Sequence, residues 1–419
     1  MSMTNQQARV EAERCLQCFD APCMHACPTH IQIPTFISMI KSGNVRGAAE
    51  VVKTSNAMVN VCGKICPEEV YCQSVCNRAK EDEPIKIREL HFYATQAEIA
   101  KKYDALNPFP KNGKSVAVIG GGPAGLGCAF ELSKIGYTVT LFDAKGLGGV
   151  PRNSIPSFRL TDNELQDDLK FLSPHFSVRK EEITNAKFNR IKNKFDAVYL
   201  GVGLGKDRPL GLKGENLSDV FPVLKFLEAV KVKQKKMSIG KKVIVIGGGN
   251  VSLDAAATAK RLGASEVTLI YRRGEKEMKV WKSELEEARK QGVEIRFLTN
   301  PIEIIGTKMA TGIKCYRTTL SKKKDASGRP IPVPVKGSEF ILDADTIIIA
   351  IGQVIGTDIA KRFKRTKNSF IAIDKKFQTS EKGVYAGGDA ISGEGTIVQS
   401  VAHGKQAAHE IHNYLLKRK

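Results

Sequence analysis

The stretch Ser115–Gly125 reads SVAVIGGGPAG and joins an apolar run directly to a glycine-rich turn. The apolar run predicts a buried strand over Ser115–Ile119, and the residues after the turn predict a helix over Ala124–Ile135. A second apolar strand, Thr138–Phe142, follows, so the segment predicts a β-α-β unit with two parallel strands. Glycines between a strand and a helix let the backbone approach a phosphate group at the helix N-terminus.

Each glycine of this turn has a predicted role in binding the pyrophosphate of an adenine dinucleotide. Gly120 makes the tight turn, Gly122 lets backbone N–H groups approach the pyrophosphate, and Gly125 lets the helix pack closely on the strand. Asp143 follows the second strand, where a carboxylate accepts hydrogen bonds from ribose hydroxyls. Because strand, helix and acid accompany the glycines, a nucleotide site is favoured over a purely structural turn. The predicted site contains Gly120, Gly121, Gly122, Pro123, Ala124, Gly125 and Asp143.

The same order of elements recurs later, where the strand Lys242–Ile246 runs into the turn GGGNVS at Gly247–Ser252. A helix over Leu253–Leu262 and a strand over Glu266–Tyr271 complete a second nucleotide-binding unit. Ser252 replaces the third glycine of the motif but is still small enough for close helix packing.

The second strand of this later unit ends in Arg272 and Arg273, where many dinucleotide sites carry an acid. Arginines attract the 2′-phosphate of NADPH through charge-assisted hydrogen bonds, so the sequence predicts NADPH, with NADH as the alternative. The competing interpretation is that both arginines only solvate the end of the strand. The predicted nicotinamide nucleotide site contains Gly247, Gly249, Asn250, Ser252, Arg272, Arg273 and Lys279.

Two further apolar runs end in glycine. Thr346–Ile351 precedes Gly352, and Val384–Ala386 precedes Gly387-Gly388-Asp389. The second of these resembles the short motif that flavoprotein reductases place near the ribityl chain and pyrophosphate of FAD. FAD is therefore assigned to the first glycine turn and the nicotinamide nucleotide to the second.

Eight of the ten cysteines lie within the first 76 residues. They form the runs Cys15-x2-Cys18-x4-Cys23-x3-Cys27 and Cys62-x3-Cys66-x5-Cys72-x3-Cys76. Thiolates at such spacings bind iron–sulfur clusters, and we predict two [4Fe–4S] clusters. Two four-cysteine zinc sites are the alternative, but structural zinc usually takes two well-separated CxxC pairs, whereas three-residue gaps dominate here.

These patterns predict an α-helical iron–sulfur domain followed by an α/β flavoprotein with two dinucleotide-binding domains. Helical patterns lie near Ile33–Lys41, Arg46–Lys53 and Leu90–Tyr103, and a linker follows at Asn107–Gly113. A last helix is predicted from Thr396 to about Leu416. The predicted bounds are 1–106 for the iron–sulfur domain, 113–212 and 353–419 for the FAD domain, and 213–352 for an inserted NADPH domain.

Composition narrows the class of protein. The 419 residues are 42% hydrophobic and 26% charged, which is ordinary for a soluble globular protein. The N-terminus has no apolar signal segment and no apolar run is long enough to span a bilayer, so we expect a cytoplasmic protein that does not enter a membrane. The net charge of +21 is spread widely and not interleaved with aromatic residues, which favours an acidic protein partner over nucleic acid.

Several short motifs outside the glycine turns carry a resemblance that extends over essentially the whole chain. They are Arg14-Cys15-Leu16-x-Cys18-x2-Ala21-Pro22-Cys23, Cys62-Gly63-x2-Cys66-Pro67, Pro84-Ile85, Ile155-Pro156-x-Phe158-Arg159-Leu160 and Val398-x-Ser400-Val401-x2-Gly404-Lys405-Gln406-Ala407. By these motifs the chain resembles the N-terminal, electron-accepting half of dihydropyrimidine dehydrogenase and its bacterial stand-alone subunit. It resembles the small subunit of glutamate synthase more distantly, because the five-residue gap after Cys66 and the presence of Cys62 are typical of the pyrimidine branch.

The resemblance implies that the two clusters share ligands across the two cysteine runs. One cluster would be held by Cys15, Cys18, Cys23 and Cys76, and the other by Cys27, Cys66, Cys72 and a residue that is not cysteine. That residue falls at His91, where the family commonly has Gln or Glu; imidazole ligation tends to raise the potential of a cluster. The alternative is that His91 is a surface histidine and Cys62 supplies the eighth ligand.

The resemblance also implies further cofactor contacts. Arg159 would pair with the FAD pyrophosphate, and Gly148 and Gly149 would approach FAD through the backbone. The residues near the ribityl chain and isoalloxazine would be Gly388, Asp389, Thr396 and Ile397, and Gly352 would face the nicotinamide nucleotide.

The implied reaction is hydride transfer from NAD(P)H to FAD, followed by single-electron transfer through the clusters to an FMN-containing, pyrimidine-binding partner subunit. No catalytic side chain is predicted, because this chemistry belongs to the cofactors. The expected role is electron input to a dihydropyrimidine dehydrogenase that reduces uracil and thymine. The alternatives are an input subunit of glutamate synthase or another oxidoreductase, and a regulatory cluster protein without catalytic activity. A disulfide reductase is not expected, since no reactive cysteine pair accompanies either nucleotide site.

Overall fold

The structure, a computed structural model, describes residues 3–100, 109–232 and 237–418. The chain divides into two compact units. The first comprises residues 1–152, 157–204 and 355–419, and the second comprises residues 153–156 and 205–354. The cysteine-rich helices and the first β-α-β unit fall in the same compact unit, so the predicted bounds of three separate domains stay predictions.

The chain begins with short helices whose ends carry the cysteines. The first helix is capped by Thr4, which forms a capping box with Gln7. Cys27 and Cys66 each follow the last residue of a helix and adopt an extended conformation, and Cys27 is buried in the core that the helices share. The helices are α1 (Asn5–Glu13), α2 (Pro22–Ala26), α3 (Ile33–Lys41), α4 (Val45–Ser55), α5 (Val59–Ile65) and α6 (Ile87–Ala100), with 3-10 turns at Glu68–Val70, Gln73–Val75 and Asn77–Lys80.

The helical patterns expected from the sequence agree with these elements within a few residues. The predicted helix over Ile33–Lys41 is α3 itself, and Arg46–Lys53 lies within α4. The end predicted at Tyr103 and the start of the linker at Asn107 lie outside the described residues.

The rest of the first unit is a five-stranded parallel sheet flanked by helices. The strand order is β16-β4-β1-β2-β3, and Val118 pairs with Leu141 and Tyr199 in the two strands beside β1. Its elements before the second unit are β1 (Ser115–Ile119), α7 (Pro123–Lys134), β2 (Thr138–Phe142), α8 (Val150–Asn153), α9 (Asp162–Leu172), β3 (Ser177–Arg179), α10 (Asn185–Lys194) and β4 (Ala197–Leu200).

The second unit contains another five-stranded parallel sheet, with the order β6-β14-β7-β8-β9. An antiparallel sheet, in which β11 pairs with β10, β12 and β13, extends it. Its elements are β5 (Gly205–Asp207), β6 (Val220–Pro222), α11 (Val223–Lys231), β7 (Lys242–Gly247), α12 (Asn250–Arg261), β8 (Glu266–Ile270), α13 (Lys282–Lys290), β9 (Val293–Arg296), β10 (Thr299–Gly306), β11 (Ala310–Lys324), β12 (Pro330–Pro334), β13 (Phe340–Asp343), β14 (Thr346–Ala350) and β15 (Gln353–Ile355).

The chain then returns to the first unit through β16 (Val384–Ala386), α14 (Asp389–Ser392) and α15 (Ile397–Leu416). Helix α15 crosses α7 closely because both helices carry glycine at the crossing. A Cβ on Gly127 would lie 2.7 Å from the carbonyl oxygen of Val401, and one on Gly404 would overlap the carbonyl oxygen of Ala124. The crossing therefore fixes α15 against the helix that opens at the first glycine turn.

A buried carboxylate ties the cysteine-rich helices to helix α9 of the same unit. Asp168 of α9 accepts hydrogen bonds from the backbone N–H groups of Asn60 and Val61 at 2.9 and 3.0 Å. These donors lie in the first turn of α5, which has no side-chain cap of its own. Burial raises the pKa of Asp168 to about 7, and the hydrogen bonds from α5 oppose this rise. Asp168 thus positions the helix that leads into Cys66.

Among the described residues, none of the helices is both long enough and apolar enough to cross a lipid bilayer.

Candidate functional site

Four cysteines from both sequence runs line one pocket at the N-terminal end of the chain. Cys15, Cys18, Cys23 and Cys76 share this pocket with apolar side chains of α3, including Ile33. Burial raises the pKa of Cys23 to about 12, and the neighbouring thiols contribute to the rise. The structure therefore brings Cys76, from the second run, to the three cysteines that begin the first.

The remaining four cysteines influence one another in the same way. Burial raises the pKa of Cys66, and the nearby Cys62 and Cys27 raise it further. Burial raises the pKa of the Cys72 thiol, and the nearby Glu68, Cys66 and Cys27 raise it further. We call Cys27, Cys62, Cys66 and Cys72 the second thiol set, and Cys15, Cys18, Cys23 and Cys76 the first thiol set.

Eight thiols in two sets suit iron–sulfur clusters by their chemistry. Soft thiolate ligands favour such clusters, and metal binding drives the deprotonation that burial opposes in the free thiols. Within the described ranges, no group of three or more His, Cys, Asp or Glu side chains is arranged to hold a single metal ion. Cluster ligands need no such convergence, because each thiolate binds a different iron.

Glu68 is a neighbour of the second thiol set that the sequence analysis missed. Its side chain is buried, and it accepts a hydrogen bond from the backbone N–H of Arg88 at 2.9 Å. The Arg88 guanidinium lies 3.6 Å from the other carboxylate oxygen. The signal in the sequence was an acid directly after Cys66-Pro67, within the loop between two ligand cysteines.

His91 lies in the interior of the N-terminal region, so its interpretation as a surface histidine is wrong. The residue is 6% exposed, and its Nε2 has no hydrogen-bond partner among the described residues. Burial lowers the pKa of His91 to about 3, which leaves a neutral imidazole. A Cβ on Gly63 would lie 3.0 Å from the Cα of Phe92, so α5 and α6 cross closely beside Cys62 and His91. Both candidates for the eighth ligand therefore flank one helix crossing.

We expect His91→Ala to change the EPR spectrum of only one reduced cluster, because imidazole and thiolate ligation give a cluster different potentials. Cys62→Ala is the matched variant, since it removes the competing ligand from the facing helix. The prediction is that Cys62→Ala keeps both EPR signals, whereas His91→Ala alters the signal that Cys72→Ser abolishes. Unchanged spectra for His91→Ala together with cluster loss for Cys62→Ala would assign the ligand to Cys62.

The first glycine turn is closely packed within the protein at Gly120 and Gly125 but left open at Gly122. Gly120 has a φ of +105°, and a Cβ on Gly125 would overlap the carbonyl oxygen of Gly120. Gly122 is different, because the nearest atom to an added Cβ is the Cα of Gly149 at 3.7 Å. No protein atom therefore fills the space beside Gly122, and this space is available to a ligand at the N-terminus of α7.

Asp143 supports this turn directly. Its Oδ2 accepts from the backbone N–H of Gly121 at 2.7 Å, and its Oδ1 accepts from those of Lys145 and Gly146 at 2.8 Å. The two bonds to Oδ1 use both of its lone pairs, whereas Oδ2 retains one that a ribose hydroxyl can use. The loop that Asp143 holds leads directly to Gly148.

Other predicted FAD contacts converge on the same end of α7, where Gly122 precedes Pro123. Gly149 has a φ of +57°, and a Cβ there would lie 2.7 Å from the Cα of Gly122. Gly388 has a φ of +68°, and its Cβ would lie 2.7 Å from that of Ala124. Arg159 is partly buried in the chain segment between α8 and α9, and its contact with FAD stays a prediction.

Asp389 and Thr396 lie at the ends of the two last helices. Asp389 begins α14, and its Oδ1 accepts from the Ser400 hydroxyl at 3.3 Å. Burial raises the pKa of Asp389 to about 6. Thr396 is the N-cap of α15 and forms a capping box with Gln399, so Ile397 is the first residue of that helix.

Helix α15 also contacts the loops of the second thiol set, a feature that the sequence analysis missed. The hydroxyl of Tyr71, next to Cys72, lies 3.0 Å from the hydroxyl of Thr396. Further along α15, the Lys405 ammonium donates to the carbonyl oxygens of Thr29 and Ser55 at 3.2 and 3.4 Å. Burial lowers the pKa of Lys405, and Cys27 is among the groups that oppose this effect.

The second glycine turn has a comparable construction within the second unit. A Cβ on Gly247 would overlap the carbonyl oxygen of Ala350, and α12 begins at Asn250 with Gly249 as its N-cap. The hydroxyl of Ser252 donates to the carbonyl oxygen of Gly249 at 2.5 Å, so serine serves the helix start in place of glycine. The backbone N–H of Lys279 donates to the carbonyl oxygen of Gly248 at 3.1 Å.

The structure gives the two predicted arginines different environments. Arg272 is exposed at the end of β8. Arg273 is 2% exposed, and its guanidinium forms an ion pair with Asp325 at 2.6 Å and donates to the carbonyl oxygen of Pro330 at 2.9 Å. The interpretation that both arginines only solvate the strand end is therefore wrong for Arg273. Its guanidinium is engaged by the hairpin that joins β11 and β12.

Gly352 ends the buried run of β14 with a φ of +111°, and its carbonyl oxygen accepts from the backbone N–H of Arg208 at 3.0 Å. Its contact with a nucleotide stays a prediction.

Comparison with known proteins identifies the family of the region that contains both glycine turns. Residues 114–408 match the family model described as pyridine nucleotide-disulphide oxidoreductase. The chain belongs to the pyridine nucleotide-disulphide oxidoreductase family. Residues 1–103 match a second family model, described as dihydropyrimidine dehydrogenase domain II, 4Fe-4S cluster.

Relatives cover the cysteine-rich region together with the oxidoreductase region. The NAD-dependent dihydropyrimidine dehydrogenase subunit PreT of Escherichia coli is 34% identical, over 99% of this chain and 96% of that protein. The glutamate synthase [NADPH] small chain of Escherichia coli is 32% identical, over 98% of this chain and 91% of that protein. The NADP(+)-dependent formate dehydrogenase subunit beta of Moorella thermoacetica is 34% identical over 94% of this chain, which spans only 60% of that longer protein.

Solved structures support the same fold. Mycobacterium tuberculosis FprA in complex with NADPH has a TM-score of 0.63 at 19% sequence identity, over 74% of this chain and 85% of that chain. The predicted family is confirmed, and the fold class is confirmed as a pyridine nucleotide-disulphide oxidoreductase fold with an N-terminal 4Fe–4S domain, whereas the insertion of an NADPH domain in an FAD domain stays a prediction. The chain thus combines a pyridine nucleotide-disulphide oxidoreductase region with an N-terminal region that matches a 4Fe–4S cluster domain.

The cysteines outside the two thiol sets do not resemble the reactive pair that disulfide reduction requires. Cys128 is buried in α7, and Cys315 is buried in β11. Burial raises the pKa of both thiols, whereas a reactive cysteine needs a lowered pKa.

Proposed function

We propose that this chain is the NAD(P)H-oxidising, electron-input subunit of a dihydropyrimidine dehydrogenase. An FMN-containing partner subunit would reduce uracil and thymine to their 5,6-dihydro forms. The observation that carries the electron-input role is the contact of α15 with the loops of the second thiol set, through Tyr71 and Lys405. The pyrimidine assignment is supported by the five-residue gap between Cys66 and Cys72 and by the PreT relative, 96% of whose length is matched.

The residues at the first glycine turn fit FAD. The opening at Gly122, the backbone N–H groups at the start of α7 and the loop at Gly149 would hold the pyrophosphate. Asp143 would keep the turn in place and accept from ribose hydroxyls. When bound, FAD accepts a hydride from the nicotinamide and releases electrons one at a time, as cluster reduction requires.

The thiol sets would hold two [4Fe–4S] clusters. The loops of the second thiol set are those that contact α15. The Lys405 ammonium, partly buried beside the backbone of Thr29, places a positive charge near Cys27. Such a charge favours the more negative, reduced form of a cluster. Tyr71 fixes the loop before Cys72 to the cap of α15.

A small subunit of glutamate synthase is the second candidate, because the glutamate synthase small chain of Escherichia coli is matched over 91% of its length. In either case the chain would work within a hetero-oligomer, as its relatives are named as subunits or chains of larger enzymes. We further propose NADPH as the favoured nucleotide, supported by the exposed Arg272 at the end of β8.

The electron-input role is tested by adding NADPH to the purified protein without oxygen. We expect the flavin absorbance to bleach within the mixing time of a manual assay and the clusters to give EPR signals afterwards. The native protein, purified from its host without oxygen, should retain an FMN-containing pyrimidine-binding subunit. Flavin that neither NADPH nor NADH bleaches would overturn the electron-input role. Co-purification of an amidotransferase-containing subunit would replace the pyrimidine assignment with glutamate synthesis.

A further inference from the structure

A turn at the tip of the β11–β12 hairpin brings a third arginine to the two at the end of β8. The backbone N–H of Asp325 donates to the carbonyl oxygen of Arg329 at 2.8 Å, and the N–H of Gly328 donates to that of Asp325 at 2.9 Å. The carboxylate of Asp325 accepts from the backbone N–H of Ser327 at 2.8 Å. These bonds make a compact turn whose last residue is Arg329.

The hairpin tip is fastened to the strand end by an ion pair between a buried arginine and a partly exposed aspartate. Asp325 pairs with Arg273, whose guanidinium also donates to Pro330. The hydroxyl of Thr318 in β11 donates to the carbonyl oxygen of Arg272 at 2.9 Å. Both arginines that follow β8 therefore hold the hairpin. Arg272 does so through its carbonyl oxygen and Arg273 through its guanidinium.

Arg329 is placed beside the glycine turn through Tyr271. A Cβ on Gly248 would overlap the ring of Tyr271, so this ring packs directly on the turn. The Nη1 of Arg329 donates to the Tyr271 hydroxyl at 3.2 Å, and that hydroxyl donates to the carbonyl oxygen of Glu277 at 2.8 Å. One aromatic ring thus separates the guanidinium of Arg329 from the second glycine turn.

The charges of Arg272, Arg273 and Arg329 act on one another here, together with the carboxylate of Asp325. Arg272 is exposed but partly covered by neighbouring atoms; this partial desolvation lowers its pKa, and the charges of Arg273 and Arg329 lower it further while Asp325 opposes them. Asp325 is already engaged by Arg273, so the cluster retains an excess of positive charge. An anion between Arg272 and Arg329 would relieve the repulsion between them.

We propose that Arg329, together with Arg272, binds the 2′-phosphate of NADPH, and that Arg273 only positions the hairpin. The proposal rests on the proposed function, in which the second glycine turn binds a nicotinamide nucleotide. The end of the second strand is where such sites distinguish a 2′-phosphate from a 2′-hydroxyl. A specificity residue for the nucleotide would then come from a segment more than fifty residues further along the chain than Arg272.

The test measures binding of adenosine 2′,5′-bisphosphate and of 5′-AMP to the oxidised holoprotein by titration calorimetry, which needs no redox turnover. We expect Arg329→Gln to weaken binding of the bisphosphate by about 10- to 100-fold, the worth of a charge-assisted hydrogen bond, with 5′-AMP changed less than about twofold. Arg329→Lys should fall between, because lysine keeps the charge but loses the planar fork. Lys322→Gln is the matched control, since it removes one exposed charge from the same hairpin.

Equal weakening of both ligands by Arg329→Gln, or an effect no larger than that of Lys322→Gln, would overturn the proposal. A wild-type protein that binds the bisphosphate no more tightly than 5′-AMP would overturn it as well. In that second case flavin bleaching by NADH would still support the electron-input role, so the two proposals fail separately. A thermal melt of each variant establishes that the hairpin change has not unfolded the second unit.

Discussion

Replacing Cys76 by serine should remove the same cluster that Cys15→Ser removes, although the two cysteines belong to different sequence runs. The physical reason is that Cys76 lines one pocket with Cys15, Cys18 and Cys23. We expect each variant to lose about four of about eight irons per chain, the content of one [4Fe–4S] cluster. Iron and sulfide analysis and the EPR spectrum of the reduced protein measure the loss.

The control for this result is Cys315→Ser, which makes the same atomic change at a buried cysteine outside both thiol sets. It should keep all iron. Reduction of the flavin by NADPH should stay within about twofold of wild type in Cys76→Ser, because hydride transfer involves no cluster. If Cys76→Ser abolished the EPR signal that Cys72→Ser abolishes, the grouping into two thiol sets would be wrong.

Replacing Gly122 by alanine should yield a folded protein that retains FAD poorly. A Cβ at this position meets no protein atom closer than 3.7 Å, so the packing of the apoprotein tolerates it. The same methyl group would occupy the space through which backbone N–H groups reach a pyrophosphate. We expect FAD to dissociate about 10- to 100-fold more readily, equivalent to about 1.4 to 2.7 kcal/mol.

The measurement is the flavin absorbance per chain after desalting, combined with a thermal melt of the apoprotein. Gly125→Ala is the contrasting variant, because its Cβ would overlap the carbonyl oxygen of Gly120 and should lower the melting temperature itself. Gly274→Ala is the neutral control, since its Cβ meets only the end of the Glu277 side chain, at 2.9 Å. Full FAD retention by Gly122→Ala would place the cofactor elsewhere.

Local structure was the most predictable part of this protein. Strands Ser115–Ile119, Thr138–Phe142 and Val384–Ala386 have the predicted bounds, since each is a short apolar run ended by a turn residue. Helix α7 begins one residue earlier than predicted because proline suits the first helical position. Helix α12 begins three residues earlier, at Asn250, where the polar start of the helix conceals the apolar period.

The β11–β12 hairpin was not anticipated. Its strand β11 runs from Ala310 to Lys324, and its last residues are three lysines. Exposed lysines on both faces of a strand end hide the alternation of apolar and polar residues that predicts a strand, so the sequence pattern did not predict a strand here. Because the hairpin was not predicted, Arg329 and Asp325 were missed as neighbours of Arg272.

By itself the sequence determined the two glycine turns, the iron–sulfur chemistry of the cysteines and the family, because each depends on residues that are close together in the chain. The resemblance implied how the cysteines divide, and tertiary structure alone decided that they meet in space, that His91 is buried, and that Arg273 is buried in an ion pair whereas Arg272 is exposed. Those outcomes depend on contacts between distant segments, such as Cys15 with Cys76 and Arg273 with Asp325. Spacing along the chain specifies local conformation, whereas the burial and charge around a side chain come from whatever the fold packs against it.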